Sequence, residues 1–503
     1  MPLSPWRLRL LIVSLLTVSF LGALDHTVVS TSLATIAGEL GAVEQMSWVI
    51  VSYTLASTVL LPVLGKLADL VGIRLVFFAS VVLFLVASMF CGFAQDITQL
   101  AIARVAQGAG AAGLMLMPQT MIGVLTSPRE RPRVLSIIGI AFPIAILVGP
   151  LIGGIITDAW GWRWVFWVNI PLGVIALALA AFAVPHIEGR SGKRFDIAGA
   201  VLLGVTVTAV VLAASWASAG GSESATPILI ASLVAVLGLA AFIAVELRVA
   251  EPLVPLRHFS NRTIVVCIAL STVIGVGLFS VVAYVPTFIQ MAYRTSATVS
   301  GLVPIATVFG MLISTLVTGS LASRSGRYRM FPLFGTAVAA VGLLVMALLP
   351  PGMPLWVPMV AMGLVGIGTG SFMNIIVAVA QSAAPVSDTG SITATVSLVR
   401  QIGSTTATAI VGGLIGAGVT AGLPAALDAA TLTPAAVHAA SASVQAQVAE
   451  LYSDVMTPIF LGLAVTYAIG FVIALLLPNA KLADHLEPEP AAEPSTVSDP
   501  AVA

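Results

Sequence analysis

Charged residues are scarce in this sequence, and their scarcity excludes a soluble protein. Only 8% of the 503 residues are Asp, Glu, Lys or Arg, and 59% are hydrophobic. Soluble domains carry about 25% charged residues. The formal net charge is zero, which gives no electrostatic reason to expect a nucleic acid as a partner.

Cysteine and the motifs of soluble enzymes are also nearly absent. Cys91 and Cys267 stand far apart within apolar stretches, a spacing that predicts neither a disulfide framework nor a metal site. We find no Ser/His/Asp constellation, no metal-ligand spacing and no nucleotide-binding loop. We therefore expect no enzymatic activity, no catalytic residue, no metal and no cofactor, and ATP is not expected to be a direct energy source.

Long apolar runs are what the sequence has in abundance. A helix needs about 20 apolar residues to cross a bilayer. Windows of this kind lie at residues 9–30, 46–65, 74–94, 98–122, 134–156, 163–184, 196–216, 227–247, 263–290, 299–322, 330–349, 355–380, 391–417 and 457–477. The sequence predicts an all-α polytopic membrane protein with 14 transmembrane helices, the first of them retained rather than cleaved as a signal peptide.

Basic residues orient these helices. With the N-terminus in the cytoplasm, 17 of the 21 lysines and arginines fall in cytoplasmic loops or tails, as the positive-inside rule requires. Arg163 and Arg294 fall on the other side, and Arg104 and Arg400 fall inside spans. We predict that both termini are cytoplasmic. Arginine outnumbers lysine eighteen to three, which suggests a GC-rich bacterial genome and hence the bacterial cytoplasmic membrane.

An internal repeat divides the chain. GKLADLVGIR at residues 65–74 follows the second span, and GSLASRSGRY at residues 319–328 follows the tenth. Parallel repeats place matching motifs at the same point of each half. The offset of eight spans predicts a six-helix bundle at 1–190, two inserted transmembrane helices at 191–257, a second six-helix bundle at 258–478 and a disordered cytoplasmic tail at 479–503. The alternative is that any tight loop between helices favours glycine and basic residues.

Further motifs give the chain a family likeness. LDHTVVSTSLATI at residues 24–36, GKLADLVGIR, RVAQGAGAA at 104–112 and AILVGPLIGG at 145–154 together resemble signatures of the major facilitator superfamily, specifically its fourteen-span drug:proton antiporter family. GWRWVFWVNIPLG and RQIG at residues 400–403 add to the resemblance. The chain departs from the pattern at Leu70 and Ile73, which replace basic residues, at Ala145, which replaces glycine, and at Ser323, which replaces the acid of the second loop motif.

The resemblance implies multidrug efflux. We expect a proton-coupled antiporter that exports drugs or other hydrophobic or amphipathic toxic compounds by alternating access and so confers antibiotic resistance. Its partners would be small-molecule substrates, protons and the lipid bilayer, and we expect a monomer. Two alternatives remain open, namely an exporter with a narrow cargo such as a self-made antibiotic, an amino acid or a lipid, and a non-transporting sensor on the same scaffold.

Asp25 is the one acidic residue deep inside a span. An acid at a helix centre costs about 2.5–3.5 kcal/mol on insertion scales. Arg104 in the fourth span lies at a similar depth when both spans are counted at about 1.5 Å per residue. We expect the two side chains to pair, and a pair that breaks on protonation would link proton binding to conformation. A static pair that only fixes the helix register is the open alternative.

The loop after the second span is a candidate gate. Gly65, Asp69, Gly72 and Arg74 occupy the positions of the loop motif, and with Lys66 they form a charged hairpin that we expect to hold the two halves together. The positive-inside bias explains the basic residues equally well, but it leaves Asp69 unexplained.

The fifth span carries the antiporter motif that the resemblance identifies, with Gly149, Pro150, Gly153 and Gly154 in place. Small residues let helices approach closely, and proline kinks a helix. Ordinary close packing is a sufficient alternative explanation for this composition.

Four polar residues are candidates for binding substrate: His26, Asn374, Arg400 and Gln401. His26 points about 100° away from Asp25 on the helix, which favours a packed or polar-facing histidine over a proton relay. Hydrogen bonding between helices is an alternative role for Asn374 and Gln401. Arg400 is either a partner for anionic substrates or a residue that snorkels to the membrane surface.

Overall fold

The structure, a computed structural model, consists mainly of helices joined by short connections in its described part. It describes residues 5–40, 45–186, 195–219, 225–350, 352–424 and 439–484, together with residues 189, 427, 433 and 437. Within these residues, fourteen helices are long and apolar enough to cross a membrane. They are α1 (Pro5–Glu39), α2 (Ser47–Val71), α3 (Ile73–Phe93), α4 (Ile97–Leu125), α5 (Arg131–Trp160), α6 (Arg163–Ala183), α7 (Ile197–Ala219), α8 (Ala225–Glu246), α9 (Arg262–Ala292), α10 (Thr298–Ser325), α11 (Met330–Leu348), α12 (Trp356–Ser382), α13 (Val386–Gly422) and α14 (Ala442–Leu475). The predicted fold class of a polytopic protein with 14 transmembrane helices is confirmed.

The last helix is longer than the sequence pattern indicates. It begins at Ala442, where the Ser441 side chain caps its first turn by accepting a hydrogen bond from Val444 N. Glu450 and Asp454 lower the hydropathy of this first part, so a search for apolar windows finds only the part from about residue 457 onward. Much of the alanine-rich stretch between the last two predicted spans is therefore helix.

Helix interruptions follow the local sequence. In α5 the helix breaks at Ile140, three residues before Pro143, because a proline ring clashes with the carbonyl four residues earlier and its nitrogen has no hydrogen to donate. Pro150 lies within the continuous segment that follows. In α9 a π-helical turn runs through Gly275–Phe279, an arrangement that is rare and often marks functional sites.

The helices pack in two groups. Helices α1–α6 form the first group, and their closest contacts are the pairs α3–α4, α2–α4, α1–α5 and α1–α6. Helices α9–α14 form the second group, with the closest contacts in the pairs α10–α12, α11–α14 and α11–α12. Helices α7 and α8 pack on each other, and α7 also contacts α2 and α13, which belong to different groups. The predicted domain boundary at residue 190 lies outside the described residues, and the one at residue 257 falls within the short helix Leu256–Ser260.

The two ends of the molecule differ in composition. We call one end the basic end, because Lys66, Arg74, Arg129 and Arg324 lie in or beside the α2–α3, α4–α5 and α10–α11 connections there. The other end is the tryptophan end, where Trp160 and three further tryptophans surround the α5–α6 connection. Between the ends many large apolar side chains are exposed, as a bilayer permits and water does not.

Candidate functional site

Asp25 and Arg104 form an ion pair inside the first group of helices. Arg104 Nη1 lies 2.7 Å from Asp25 Oδ2. Each residue is 1% exposed, so the pair is shielded from water. The expected contact between α1 and α4 is present, and helix counting was enough to anticipate it because both residues lie at comparable depth on neighbouring helices.

Two amides complete the surroundings of the carboxylate. Gln107 Nε2 and Asn169 Nδ2 each donate to Asp25 Oδ1 at 2.8 Å. Gln107 also accepts from Arg104 Nη1 at 2.7 Å and donates to Ser88 Oγ at 2.8 Å. Sequence reasoning missed Gln107, Asn169 and Ser88. The signal for Gln107 was its position three residues after Arg104 in RVAQGAGAA, which places both side chains on one helix face.

Arg104 also binds the start of α2. Its Nε donates to the Val49 carbonyl at 3.2 Å, and its guanidinium lies 3.9 Å from the centre of the Tyr53 ring. Cation–π contacts of this kind strengthen when water is excluded. Through these bonds the Asp25–Arg104 pair joins α1, α4, α6 and α2 in one polar network.

His26 lies next to this network but on a different face of α1. Its ring centre is 6.1 Å from that of Tyr53. His26 is exposed, and so are Ser30 and Ala34, which follow at successive turns toward the tryptophan end. The structure therefore places His26 on an exposed stripe of α1, here called the His26 stripe, next in sequence to the buried Asp25.

Asp69 joins the two groups of helices at the basic end. Its carboxylate accepts from Gly390 N and Ser391 N, each at 2.9 Å, and from Ser391 Oγ at 2.7 Å. These donors lie in the first turn of the helix Thr389–Gly422, which is the α-helical part of α13. Backbone N–H groups there have no partner within the helix, and negative charge is favoured. The two helices touch here, since a Cβ at Gly65 would lie 2.6 Å from Ala394 Cβ.

The other residues of the loop motif act locally. Gly72 has φ of 99°, a left-handed conformation that glycine adopts without strain, and it makes the turn into α3. Arg74 lies with its guanidinium 5.7 Å from the Phe78 ring of its own helix. Lys66 pairs at 2.8 Å with Glu251 in the segment after α8. Of the predicted latch residues, Gly65 and Asp69 therefore contact the second group of helices directly.

The second copy of the loop motif makes a matching contact with different chemistry. Gly319 of α10 packs against α5, because a Cβ there would lie 2.8 Å from the Pro132 carbonyl oxygen. Ser323 stands where the first copy has its acid. Instead, Arg129 donates to the carbonyls of Ser323 and Arg324 at 3.0 and 2.9 Å, which occupy the C-terminal end of α10. A cation is favoured at that end of a helix.

The C-terminal segment, residues 482–484, reinforces the contact between Arg129 and the end of α10. Asp484 pairs with Arg129, and the Ala483 carbonyl accepts from Arg129 N at 3.1 Å. Leu482 N donates to the Gly326 carbonyl at 2.9 Å. Within the described residues, the hydrogen bonds that join the first six helices to the last six and to this segment lie at the basic end.

The antiporter motif packs α5 against α1. A Cβ at Gly149 would meet the Thr27 side chain, and one at Gly153 would lie 3.0 Å from the Val28 carbonyl oxygen. Gly154 has open space around its Cα, and Pro150 is exposed. The structure therefore brings Gly149 and Gly153 into the α1–α5 contact, beside the helix that carries Asp25, and leaves the other two residues of the motif outside it.

The candidates in the second group of helices have different surroundings. The Asn374 amide packs on α5, since a Cβ at Gly139 would lie 2.8 Å from Asn374 Cγ. Gln401 is partly exposed. Arg400 is also partly exposed, and it has no hydrogen bond or ion pair with any residue that the structure describes. Gln381 was not among the candidates, yet it is buried and donates to the Gln119 carbonyl of α4 at 3.0 Å.

Comparison with known proteins identifies the class. The family model of the Major Facilitator Superfamily matches residues 15–408, and the chain belongs to that superfamily. An uncharacterized MFS-type transporter of Mycobacterium tuberculosis (strain CDC 1551 / Oshkosh) is 34% identical over 491 residues, which cover 96% of this chain and 71% of that protein. The chain is thus a membrane transporter, and the resemblance drawn from its motifs is confirmed.

Two further relatives carry more specific names. The multidrug transporter protein MdtP of Bacillus subtilis (strain 168) is 32% identical over 405 residues, covering 80% of this chain and 75% of MdtP. An acurin A biosynthesis cluster MFS-type transporter of Aspergillus aculeatus is 30% identical over 418 residues, covering 81% of this chain and 75% of that protein.

Solved structures share the fold. The human organic anion transporter MFSD10 aligns with a TM-score of 0.61 at 13% identity, over 94% of this chain and all of that one. The proton:xylose symporter XylE aligns with a TM-score of 0.60 at 15% identity, over 94% of this chain and 97% of that one. At such identities the likeness concerns the fold alone.

Proposed function

We propose that this protein is a proton-coupled antiporter that exports drugs or other hydrophobic and amphipathic compounds across the bacterial cytoplasmic membrane. The basic end faces the cytoplasm, as the positive-inside rule requires. The main observation behind the proposal is the water-excluded Asp25–Arg104 pair. A protonatable carboxylate inside a membrane span is costly, and such residues usually have a function. The name of the relative MdtP supports the multidrug cargo.

Protonation of Asp25 would leave Arg104 as an unpaired charge in a dry pocket. Breaking a buried ion pair by removing one partner costs about 3–5 kcal/mol. That energy corresponds to about 10²- to 10⁴-fold in an equilibrium constant, which is enough to change the dominant conformation of a two-state protein. Protonation therefore favours a conformation in which Arg104 finds water or another partner.

Helix α2 provides the mechanical connection. Near its first turn the Val49 carbonyl and the Tyr53 ring bind Arg104, and near its last turn Gly65 and Asp69 bind α13. A helix transmits a displacement along its length because its backbone hydrogen bonds resist deformation. Release of Arg104 at one end of α2 would thus weaken the contact that closes the basic end.

The described conformation corresponds to one state of alternating access. The hydrogen bonds between the helix groups close the basic end, while the His26 stripe on α1 leaves accessible surface toward the tryptophan end. In the proposed orientation this state opens to the outside and allows Asp25 to exchange its proton once Arg104 moves.

The test is efflux of a fluorescent lipophilic dye from proteoliposomes under an imposed pH gradient, comparing wild type with Asp25→Asn. Asp158→Asn, which changes an exposed acid of α5, is the matched control. We expect gradient-driven efflux in wild type and the control, and loss of gradient dependence in Asp25→Asn. Efflux that Asp25→Asn leaves unchanged would place the coupling elsewhere.

Two other functions give different results in the same assay. An exporter with a narrow cargo would move few compounds of a broad dye panel. A non-transporting sensor would move none of them under any gradient.

A further inference from the structure

Arg400 is a charged residue without a counterion in the middle of the protein. It lies eleven residues into the helix Thr389–Gly422, or about 16 Å from the start of that helix at the basic end. Arginine stays protonated in proteins, so its charge is not lost by burial. No acidic side chain of the described residues interacts with it, and the buried Asp25 is already paired with Arg104.

The position of Arg400 on α13 points it inward. Thr393 lies seven residues earlier and therefore on nearly the same face of the helix. Thr393 Oγ1 accepts from Gln381 of α12 at 2.9 Å, and Gln381 in turn donates to the Gln119 carbonyl of α4. This face of α13 is thus directed at the space between the two helix groups and away from lipid, which argues against snorkelling.

A second polar group on the same face also lacks a partner. Ser397, one turn before Arg400, is 7% exposed, and its Oγ makes no hydrogen bond with any described residue. Residues three apart on a helix are neighbours on its surface, so Ser397 and Arg400 belong to the same patch of α13. A buried polar group is normally hydrogen-bonded, and one that is not needs a ligand or water.

The backbone opposite Arg400 is unusual as well. Gly275 begins the π-helical turn of α9 and packs directly on α13, since a Cβ there would lie 3.0 Å from Ser404 N. A larger residue at Gly275 would collide with the turn of α13 that carries Arg400. The π-helical turn and the unpaired arginine therefore occupy the same level of the protein.

We propose that Arg400 and Ser397 bind an anionic group of the exported molecule, so that the cargo includes organic acids with an apolar body. The proposal rests on the function inferred above and narrows its substrate class. A guanidinium offers parallel donors that match a carboxylate, sulfonate or phosphate, and the serine hydroxyl supplies one more. Cationic compounds would meet an unpaired positive charge at this level of the protein and would be disfavoured.

The experiment compares two dyes with the same xanthene skeleton, anionic fluorescein and cationic rhodamine 6G. Binding of each dye to the purified protein is measured by fluorescence anisotropy, and efflux is measured in proteoliposomes. The variants are Arg400→Gln, Arg400→Lys and the control Arg294→Gln, which changes an exposed arginine beyond α9. Binding is measured without a gradient, so it does not depend on proton coupling.

We expect wild type and Arg294→Gln to prefer fluorescein, and Arg400→Gln to bind it about tenfold or more weakly, as expected for loss of hydrogen bonds to a charged group. Arg400→Lys should retain part of the affinity. Fluorescein binding with no gradient-driven efflux would support the anion site and contradict proton-coupled export. Equal binding of fluorescein by wild type and Arg400→Gln, or a wild-type preference for rhodamine 6G, would overturn the anion site and leave the export proposal standing.

Discussion

Replacing Asp69 by asparagine should open the basic end. The carboxylate accepts three hydrogen bonds from the first turn of the helix Thr389–Gly422, at 2.7–2.9 Å. A hydrogen bond to a charged group contributes about 1.5–3 kcal/mol, and the helix N-terminus favours a negative charge by about 0.3–1 kcal/mol. Asparagine keeps one acceptor oxygen and loses the charge, so we expect a cost of about 2–4 kcal/mol to the closed state.

That cost predicts a large change in accessibility. A loss of 2–4 kcal/mol shifts the ratio of closed to open molecules by about 30- to 900-fold. Thr395→Cys provides the probe, because Thr395 is 2% exposed and lies one turn beyond Ser391 on α13. The native thiols Cys91 and Cys267 are both fully buried and will not interfere.

The assay is the rate at which a membrane-impermeant maleimide labels Thr395→Cys from the basic end. Thr395→Cys combined with Asp69→Asn should label at least tenfold faster than Thr395→Cys alone. Glu130→Gln, a change to an exposed acid at the same end, should leave the rate unaltered. Equal labelling rates with and without Asp69→Asn would refute the role of Asp69 in closing this end.

Two further changes test the contacts between the helix groups. Gly65→Val should slow dye efflux at least tenfold, because a Cβ at Gly65 already falls 2.6 Å from Ala394 Cβ, whereas Gly154→Ala, with open space around it, should leave efflux unchanged. Equal efflux by the two variants would contradict the close approach of α2 and α13. Arg129→Ala removes the donors to the α10 carbonyls and the partner of Asp484, and we expect it to speed maleimide labelling of the Thr395→Cys probe several-fold. A labelling rate as slow as that of Thr395→Cys alone would show that this contact does not hold the basic end closed.

The sequence predicts those parts of the structure that depend on local composition. Apolar windows located all fourteen helices, because the cost of placing polar side chains in lipid leaves a strong signal in each one. The pairing of Asp25 with Arg104 was also predictable, since an acid and an arginine at matching depth on different spans have few other partners in the bilayer.

Contacts between distant segments could not be predicted in the same way. The donors to Asp69 are mainly backbone groups of α13, and a backbone N–H leaves no trace in side-chain composition. The role of Arg129 is likewise hidden, because Ser323 and Arg324 contribute only their carbonyls. The helix Ala442–Leu475 was predicted too short because its first turns contain acidic residues and rely on capping rather than hydropathy.

The most direct test of proton-coupled export is whether binding of a transported compound releases the proton held at Asp25, because an antiporter carries compound and proton in alternate steps. A pH-sensitive dye in weakly buffered detergent solution reports protons that leave the purified protein when a transported compound is added. We expect proton release from wild type and from Asp158→Asn, and none from Asp25→Asn. Proton release that persists in Asp25→Asn, or substrate binding to wild type that releases no proton at any pH between about 5 and 8, the range in which such groups are tuned to work, would contradict it.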